Sequence, residues 1–344
     1  MSLKIVIPTA GWGTRMRPQT WSKVKPLVSV AGKTALDHLL DTFKTVPAGM
    51  PAEYVFIVGP FLGETQLPAY MQERHPDLTA HYVLQAEMRG QSDALYLARQ
   101  HLDGPMLMVF SDTLIQTDFS FLAHETLDGV AWVKSVPDPR RFGVAELNAA
   151  GRIARLIEKP ESMDNKLAVV GCYYFREGAA LVAAIQEQVK RNLARKGEFF
   201  LADAINVMLE HGARMRTQEV ALWLDTGTIE ATLETNRYLL EHGSANKTQN
   251  EKRDGVEVRP PSFIDPSAEV TGSVIGPYAS IGAGCRIEAS RVENSILEGE
   301  VTVTAAALNG SFIGRRSRVE GRSADDPPLS ANIGDDSSIR LQEH

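Results

Sequence analysis

The segment 3–27, LKIVIPTAGWGTRMRPQTWSKVKPL, decides how the N-terminal part of this chain is interpreted. It starts with an apolar run of strand length, passes two closely spaced glycines, Gly11 and Gly13, and then gathers four cations. A strand that ends in glycines exposes backbone N–H groups, which cradle anions because no Cβ keeps a phosphate away. We expect the turn to open into a helix, whose dipole would add to the attraction. The segment therefore predicts an anion-binding turn.

The cations behind the turn favour a phosphate ligand. Arg15 offers a planar fork and Lys25 a mobile point charge for phosphate oxygens, whereas Arg17 and Lys23 are expected to be rim charges. The turn is not a P-loop, because no Gly-Lys-Ser/Thr follows, and Met16 stands where the dinucleotide fingerprint has its third glycine. For these residues considered alone, the alternative is a solvated basic loop.

Bulk properties exclude several classes of protein. The chain has 344 residues and a formal charge of -7, which argues against a general nucleic-acid binder. Cys172 and Cys285 are too few and too far apart for a disulfide framework or a clustered metal site. We do not expect the N-terminal segment to act as a signal peptide, and no run approaches the length of a membrane span. We therefore expect a cytoplasmic protein of two domains, without a membrane or nucleic-acid partner.

Apolar runs alternate with helical patterns through residues 1–240, the predicted first domain. The strand-like runs are KIVIP, EYVFIVG, AHYVLQ, MLMVFSD, GVAWVKS, GVAELN and AVVGCYYF. The helical patterns include TALDHLLDTFKTV, SDALYLARQHL, TIEATLETNRYLL and GAALVAAIQEQVKRNLARKG, the last closed by Gly197. Continuous apolar strands between amphipathic helices are typical of an α/β fold with a mostly parallel sheet covered on both faces.

The composition changes after residue 240. Residues 241–261 are polar, poor in apolar side chains and end in two prolines, which predicts a linker. Over residues 262–344, aliphatic side chains recur every six residues, as at Ile275, Ile281 and Ile287. That period predicts a parallel β-helix, with interruptions at ALNGSF and SADDPPLSAN. A small irregular β domain is the alternative.

The motifs along the first domain occur in an order that resembles a known family. The segment AGWGTRMRPQTWSKVKPL is followed in order by GQSDALYLA, FSDTLI, RFGVAEL, IEKP, VVGCYYF, GEFFLADAIN and WLDTGTIEATLETNRYLL. This series resembles the sugar-1-phosphate nucleotidylyltransferases, in particular long glucose-1-phosphate thymidylyl- and uridylyltransferases with a C-terminal hexapeptide domain. The resemblance implies a Rossmann-like, GT-A-like mixed sheet that is mostly parallel, followed by a left-handed parallel β-helix.

The same resemblance implies a role for each charged residue. Asp112 ends a strand, so it is expected at the carboxyl edge of the sheet, where α/β proteins bind ligands. By resemblance, Asp112 and Asp225 would hold Mg²⁺, Arg15 would grip the β,γ-phosphates, and Lys25 would neutralise charge at the α-phosphate. The alternative for either aspartate is a helix cap or an Asx-turn.

The remaining candidates follow from the resemblance in two groups. The nucleotide-binding positions are Gly11, Gly13, Thr14, Gln85 and Gly90. The sugar-phosphate positions are Gly143, Glu158, Lys159 and Val169, with a surface ion pair as the alternative for the adjacent charges.

The expected substrates are a nucleoside triphosphate and a sugar-1-phosphate, with glucose-1-phosphate favoured. The amide of Gln85 complements the edge of uracil or thymine, which favours UTP or dTTP over GTP. Three positions depart from the family pattern: Ser111 replaces a glycine, Val24 a proline, and Gln91-Ser92 a Thr-Ala pair. None of these changes removes a charged group from the proposed chemistry.

The β-helix suggests assembly or regulation. Relatives with a second, acyltransferase activity typically use a histidine base there, and no histidine occurs between Gly243 and Glu343. Closed symmetric oligomers are the common result of self-assembly, so we expect a homo-oligomer. Two other functions remain open from the sequence: a non-catalytic subunit that senses nucleotide-sugars, and a bifunctional nucleotidyltransferase/acyltransferase.

Overall fold

The computed structural model describes residues 2–245 and 255–341. Contacts divide the chain into two compact units, one made of Met1–Trp12 with Leu39–Trp223 and the other of Gly13–His38 with Leu224–His344. The segment 13–38, which carries the four cations, thus groups with the C-terminal part of the chain. The predicted linker lies partly outside the described residues, and the bounds predicted for the domains stay a prediction.

Strands and helices occupy most of the first 240 residues. The strands are β1 (Leu3–Pro8), β2 (Ser29–Val30), β3 (Lys33–Thr34), β4 (Ala52–Val58), β5 (Ala80–Leu84), β6 (Met106–Val109), β7 (Thr113–Gln116), β8 (Gly129–Ser135), β9 (Gly143–Leu147), β10 (Ile153–Glu158), β11 (Leu167–Phe175), β12 (Met215–Glu219) and β13 (Leu222–Asp225). The helices are α1 (Ala35–Thr42), α2 (Leu62–Arg74), α3 (Gln91–Leu97), α4 (Gly178–Lys190), α5 (Leu201–Glu210) and α6 (Ile229–Leu239). Each predicted strand run coincides with an observed strand, so that part of the sequence prediction is confirmed.

A nine-stranded mixed sheet forms the centre of the first unit. Its order is β10-β9-β11-β6-β1-β4-β5, with β8 attached to β11 and β12 attached to β8. Strands β6, β1, β4 and β5 pair in parallel, and Val6 lies opposite both Val55 and Met108. All three side chains are buried, because a parallel sheet is covered on both faces. The carboxyl ends of these four strands therefore lie along one edge of the sheet.

Helices α3, α4 and α5 supply much of the core of the first unit. Leu95, Ile185 and Ile205 belong to one buried cluster with Val55 and Met108 of the sheet. Their burial contributes on the order of 2 kcal/mol for each large aliphatic side chain. The helices thereby hold the parallel strands in the register that aligns their carboxyl ends.

Helix α4 ends earlier than the sequence predicts. It was expected to reach Gly197, but it stops at Lys190. The buried side chain of Gln188 donates a hydrogen bond to the carbonyl of Phe200 at 2.9 Å, which draws the following residues into a turn. Gly197 lies in that turn at φ +81 instead of capping the helix, so the predicted helix end is wrong.

The C-terminal region forms a left-handed parallel β-helix. Its strands are β14 (Glu257–Val258), β15 (Phe263–Ile264), β16 (Glu269–Thr271), β17 (Val274–Ile275), β18 (Ser280–Ile281), β19 (Arg286–Glu288), β20 (Arg291–Glu293), β21 (Ile296–Leu297), β22 (Thr302–Thr304), β23 (Ala307–Asn309), β24 (Phe312–Ile313), β25 (Arg318–Glu320), β26 (Asn332–Ile333) and β27 (Ser338–Arg340). They form three parallel sheets, β14-β17-β20-β23, β15-β18-β21-β24-β26 and β16-β19-β22-β25-β27. The alternative of an irregular β domain is therefore wrong.

Stacked aliphatic side chains fill the inside of the β-helix. Ile287, Val303 and Val319 lie in register on successive coils and are buried. The predicted interruption at ALNGSF is wrong, because those residues provide β23 and β24 and keep the register. The interruption at SADDPPLSAN is confirmed as the long connection between β25 and β26. Over the described ranges, no helix is both long enough and apolar enough to cross a membrane.

Candidate active site

The glycine turn follows β1 but does not open into an α-helix. The carbonyl of Gly13 accepts hydrogen bonds from the backbone N–H of Met16 and the hydroxyl of Thr20, each at 2.8 Å. Only a 3-10 turn, Thr14–Met16, follows, and the first α-helix begins at Ala35. Arg17 is extended, since it precedes Pro18. The predicted helix dipole is therefore wrong, and an anion here would depend on backbone N–H groups and side-chain charge.

The two candidate cations lie beside buried residues of the second unit. Arg15 is exposed, while the side chain of the next residue, Met16, is fully buried. Lys25 is half-buried and begins a second 3-10 turn, in which Pro26 is buried. The backbone at each cation is thus fixed by the buried side chain of the next residue, Met16 or Pro26.

Asp112 lies in the turn between β6 and β7, at the carboxyl edge of the parallel strands. The backbone N–H of Phe110 donates to the carbonyl of Gly171 at 3.0 Å, and the hydroxyl of Thr113 donates to the carbonyl of Val170 at 3.0 Å. These bonds on either side fix the turn that carries Asp112. Gly11 and Gln85 follow β1 and β5 along the same edge.

Asp225 ends β13 and belongs to the second unit. Its carboxylate oxygen Oδ1 accepts the backbone N–H of Gly227 at 2.6 Å, which is the Asx-turn considered from the sequence. Its carbonyl accepts the hydroxyl of Thr235 from α6 at 2.8 Å. The carboxylate therefore has a fixed orientation at the start of that helix.

Gln85 and Gly90 form one hydrogen-bonded loop. Gln85 is buried, and its amide donates to the carbonyl of Gly90 at 3.2 Å and to the carboxylate of Asp93 at 3.1 Å. Gly90 has φ +101, and a Cβ there would lie 2.5 Å from the carbonyl oxygen of Phe199. This observed role of Gln85 is to hold the loop, and a contact between its amide and a base stays a prediction.

Three of the four candidate sugar-phosphate residues meet on the antiparallel side of the sheet. Gly143 pairs with Glu158 across β9 and β10. A Cβ on Gly143 would lie 2.9 Å from Val169 and 3.2 Å from a carboxylate oxygen of Glu158. The absence of a side chain at Gly143 therefore leaves space that Glu158 and Val169 border.

Glu158 and Lys159 have different surroundings. Burial raises the pKa of the Glu158 carboxyl, although the charges of Lys159 and Arg195 oppose this shift. The ammonium of Lys159 lies 5.6 Å from the ring centroid of Phe200, in a cation–π arrangement. These surroundings differ from those of a surface ion pair.

Several residues were missed or misjudged from the sequence. Lys23 was expected to be a rim charge, but it is buried and its ammonium pairs with the carboxylates of Glu298 and Asp335. The expectation of a rim charge is therefore wrong. The sequence could not show this, because the two partners lie 275 and 312 residues away in the chain. Phe199 and Phe200 of GEFFLADAIN lie beside Gly90 and Lys159, and the sequence does not indicate these contacts. The adjacent aromatic pair in GEFFLADAIN was the available signal in the sequence.

Comparison with known proteins identifies the family of the chain. The nucleotidyl transferase family matches residues 4–242. The chain is 29% identical to a glucose-1-phosphate thymidylyltransferase of Streptomyces antibioticus, over 99% of this chain and 100% of that protein. It is 26% identical to the UTP–glucose-1-phosphate uridylyltransferase AglF of Haloferax volcanii, over 70% of this chain and 97% of that protein.

A solved structure shares the fold of a large part of the chain. A crystal structure of UDP-glucose pyrophosphorylase complexed with UDP-glucose superposes with a TM-score of 0.59 and 19% identity, covering 70% of this chain and 100% of that one. At this identity the likeness concerns the fold alone. With the family match over more than half of its length, the chain belongs to the nucleotidyl transferase family.

Proposed function

We propose that this protein transfers a nucleotidyl group from a nucleoside triphosphate to a sugar-1-phosphate. The observation that carries the proposal is the placement of Gly11, Gln85 and Asp112 beyond the carboxyl ends of β1, β5 and β6. Ligands of open α/β sheets bind at that edge. The names of the two similar enzymes support glucose-1-phosphate as the sugar and dTTP or UTP as the nucleotide.

In the proposed reaction, an oxygen of the sugar-1-phosphate attacks the α-phosphorus in line. A new P–O bond forms, the bond between the α-phosphorus and the bridging oxygen breaks, and pyrophosphate leaves with the electron pair. Arg15 binds the β- and γ-phosphates, since its guanidinium fits paired oxygens. Lys25 neutralises charge that grows at the α-phosphate. Glu158 accepts hydrogen bonds from sugar hydroxyls and Lys159 binds the sugar phosphate.

The residues present fit Mg²⁺ as the metal. Asp112 and Asp225 would provide carboxylate oxygens, the ligands that Mg²⁺ prefers, together with phosphate oxygens and water. Over residues 2–245 and 255–341, no group of three or more His, Cys, Asp or Glu side chains could hold a metal by itself. A metal that shares its ligands with a phosphate suits this small carboxylate set. Bound Mg²⁺ would draw negative charge from the phosphate oxygens.

The direct test is pyrophosphate release by the purified protein. Glucose-1-phosphate, N-acetylglucosamine-1-phosphate and mannose-1-phosphate are each combined with dTTP, UTP, GTP, ATP and CTP in the presence of Mg²⁺. We expect release that depends on the sugar phosphate, fastest with glucose-1-phosphate and either dTTP or UTP. Nucleotide-sugar binding without release under any combination would instead support a sensing subunit. Release of free thiol from an acyl-CoA would support the bifunctional alternative.

The raised pKa of Glu158 predicts a specific pH dependence. Because burial favours the neutral acid, the carboxylate that accepts sugar hydroxyls is lost at a higher pH than the ordinary value of 4.5 implies. We expect the KM for the sugar phosphate to rise as the pH falls towards that raised pKa. Glu158→Gln should raise this KM about tenfold at pH 8 and remove the pH dependence.

The matched control for this prediction is Glu146→Gln, on strand β9, which pairs with the strand β10 that carries Glu158. Glu146 is exposed, and as the third residue after Gly143 it belongs to the opposite face of the strand. Its substitution should leave both the KM and the pH profile unchanged. A pH profile that survives Glu158→Gln would mean that another group titrates.

A further inference from the structure

Lys23 connects the phosphate-binding segment to the β-helix through a buried charge cluster. Its ammonium pairs with one carboxylate oxygen of Glu298 and, at 2.9 Å, with Oδ1 of Asp335. The exposed fractions of these three side chains are 9%, 1% and 7%, so the ion pairs are shielded from solvent. Buried charges of this kind are strongly coupled, because each partner loses its hydration.

Both carboxylates also bind backbone or hydroxyl groups of the cluster. The second oxygen of Glu298 accepts the backbone N–H of Ser29 at 3.1 Å. The second oxygen of Asp335 accepts the hydroxyl of Ser22 at 2.7 Å. Burial opposes ionisation of Asp335, but the hydrogen bonds from Lys23 and Ser22 outweigh it and lower the pKa of that carboxyl. The β-helix thus holds the segment on both sides of Lys25.

Gln19 makes a second, uncharged connection. It is fully buried, and its amide nitrogen lies 3.0 Å from the carbonyl of Phe312, 2.9 Å from the side-chain oxygen of Asn332 and 2.8 Å from the carbonyl of Ile333. The side chain of Asn332 in turn donates to the carbonyl of Arg17 at 3.4 Å. The three acceptors of the Gln19 amide belong to the neighbouring strands β24 and β26 of the β-helix.

Apolar packing completes the connection on the same face of the β-helix. Ile296 and Phe312 point outward from β21 and β24, yet both are fully buried. They form one cluster with Met16 and Val28 of the segment. The sheet that contains β21 and β24 therefore has two buried faces. One face lines the interior of the β-helix, and the other packs against Met16 and Val28.

We propose that Lys23, Gln19, Glu298 and Asp335 are positioning residues that set the conformation of the segment bearing Arg15 and Lys25. The proposal rests on the proposed function, in which these two cations bind the triphosphate. It assigns the β-helix an indirect part in nucleotide binding, separate from the assembly or regulation expected from the sequence.

The segment has little internal structure that could position the cations by itself. The helical elements of residues 13–28 are the two 3-10 turns Thr14–Met16 and Lys25–Leu27, and the residues between them make local turn hydrogen bonds with one another, such as that from the N–H of Trp21 to the carbonyl of Pro18. Three-residue turns of this type are weakly stable without outside contacts. Lys25 stands two residues after Lys23, and Arg15 directly precedes Met16. A shift of about 1 Å in a phosphate-binding group is enough to cost up to ~100-fold in rate.

Two variants test the proposal from opposite ends of the ion pair, Lys23→Met and Glu298→Gln. In each, we expect kcat/KM for the triphosphate to fall about 10- to 100-fold, while KM for the sugar phosphate changes less than about twofold. Lys23→Arg should restore part of the loss, because it keeps the charge. In a Lys25→Ala background, Lys23→Met should add little, because it acts through Lys25.

Arg316→Gln is the matched control. Arg316 pairs with Asp336 at 2.7 Å on the same part of the β-helix, but both side chains are exposed. Its loss removes an ion pair without touching residues 13–28, so nucleotide kinetics should not change. Melting temperatures recorded for all variants separate a general loss of stability from the selective effect on the triphosphate.

Hydrogen exchange of the intact protein tests, without any ligand, whether the contacts of Lys23 with the β-helix hold residues 13–28 in place. We expect amides of residues 13–28 to lose protection in Lys23→Met and Glu298→Gln but not in Arg316→Gln. Unchanged exchange, or unchanged triphosphate kinetics in an active protein, would overturn the proposal. If the wild-type protein releases no pyrophosphate, the proposed function fails. In that case dTTP binding measured by calorimetry decides the positioning role, since weaker binding by both variants would support it and equal binding would overturn it.

Discussion

Asp112→Asn should reduce kcat/KM for pyrophosphate release by about 10³-fold or more. The amide keeps the size of the side chain but removes the negative charge that would hold Mg²⁺. A metal contributes several kcal/mol of charge stabilisation in such reactions, and each 1.4 kcal/mol is about tenfold in rate. The hydrogen bonds of Phe110 and Thr113 that fix the turn do not involve this side chain, and the melting temperature of the variant shows whether the turn is kept.

Asp118→Asn provides the control for Asp112→Asn. Asp118 is exposed after β7, and its carboxylate bonds only to the backbone and hydroxyl of Ser120 among the contacts described. The kcat/KM of Asp118→Asn for pyrophosphate release should stay within about twofold of the wild-type value. Steady-state pyrophosphate release at saturating Mg²⁺ gives the comparison. A fully active Asp112→Asn protein would remove this residue from the metal site.

Gly90→Ala should destabilise the protein by about 3 kcal/mol and raise the KM for the triphosphate. At φ +101 and ψ 177, the backbone of Gly90 is in a region that is nearly exclusive to glycine. A Cβ would also lie 2.5 Å from the carbonyl oxygen of Phe199, a backbone atom that cannot rotate away. The loop would shift, and the hydrogen bond from Gln85 to the Gly90 carbonyl would be lost.

Gly212→Ala separates the two causes. Gly212 also has a positive φ, +90, but a Cβ there would meet nothing within 4 Å. This variant should lose only about 1 kcal/mol, with unchanged kinetics. Chemical denaturation of both variants measures the difference. Equal losses of stability would mean that the contact with Phe199 relaxes without cost.

The fold class could be predicted from the sequence because its signals are local. Strand runs such as KIVIP and EYVFIVG are continuous and apolar, so they identify buried parallel strands without reference to the rest of the chain. The six-residue period does the same for the β-helix, since each coil repeats one simple pattern of inward aliphatic side chains. Local patterns are less reliable at boundaries. Helix α4 ends at Lys190 because a buried Gln188 captures the next turn, which is a tertiary effect.

The candidate site could be predicted as a set of residues but not as a structure. Ordered motifs led to Asp112, Glu158 and Gly143, and the structure places the last two side by side. The predicted helix after Gly13 is absent, because two prolines and the packing of Met16 favour short turns. Helical propensity is a weak preference that packing readily overrides.

By itself, the sequence determined an α/β region followed by a β-helix, and a cluster of cations behind a glycine turn. Only the tertiary structure decided that this cluster groups with the β-helix and that Lys23 is buried between two carboxylates. The physical reason is the range of the interactions. Hydrophobic periodicity is expressed within a few residues, whereas the partners of Lys23 are 275 and 312 residues away and meet it only in the folded chain.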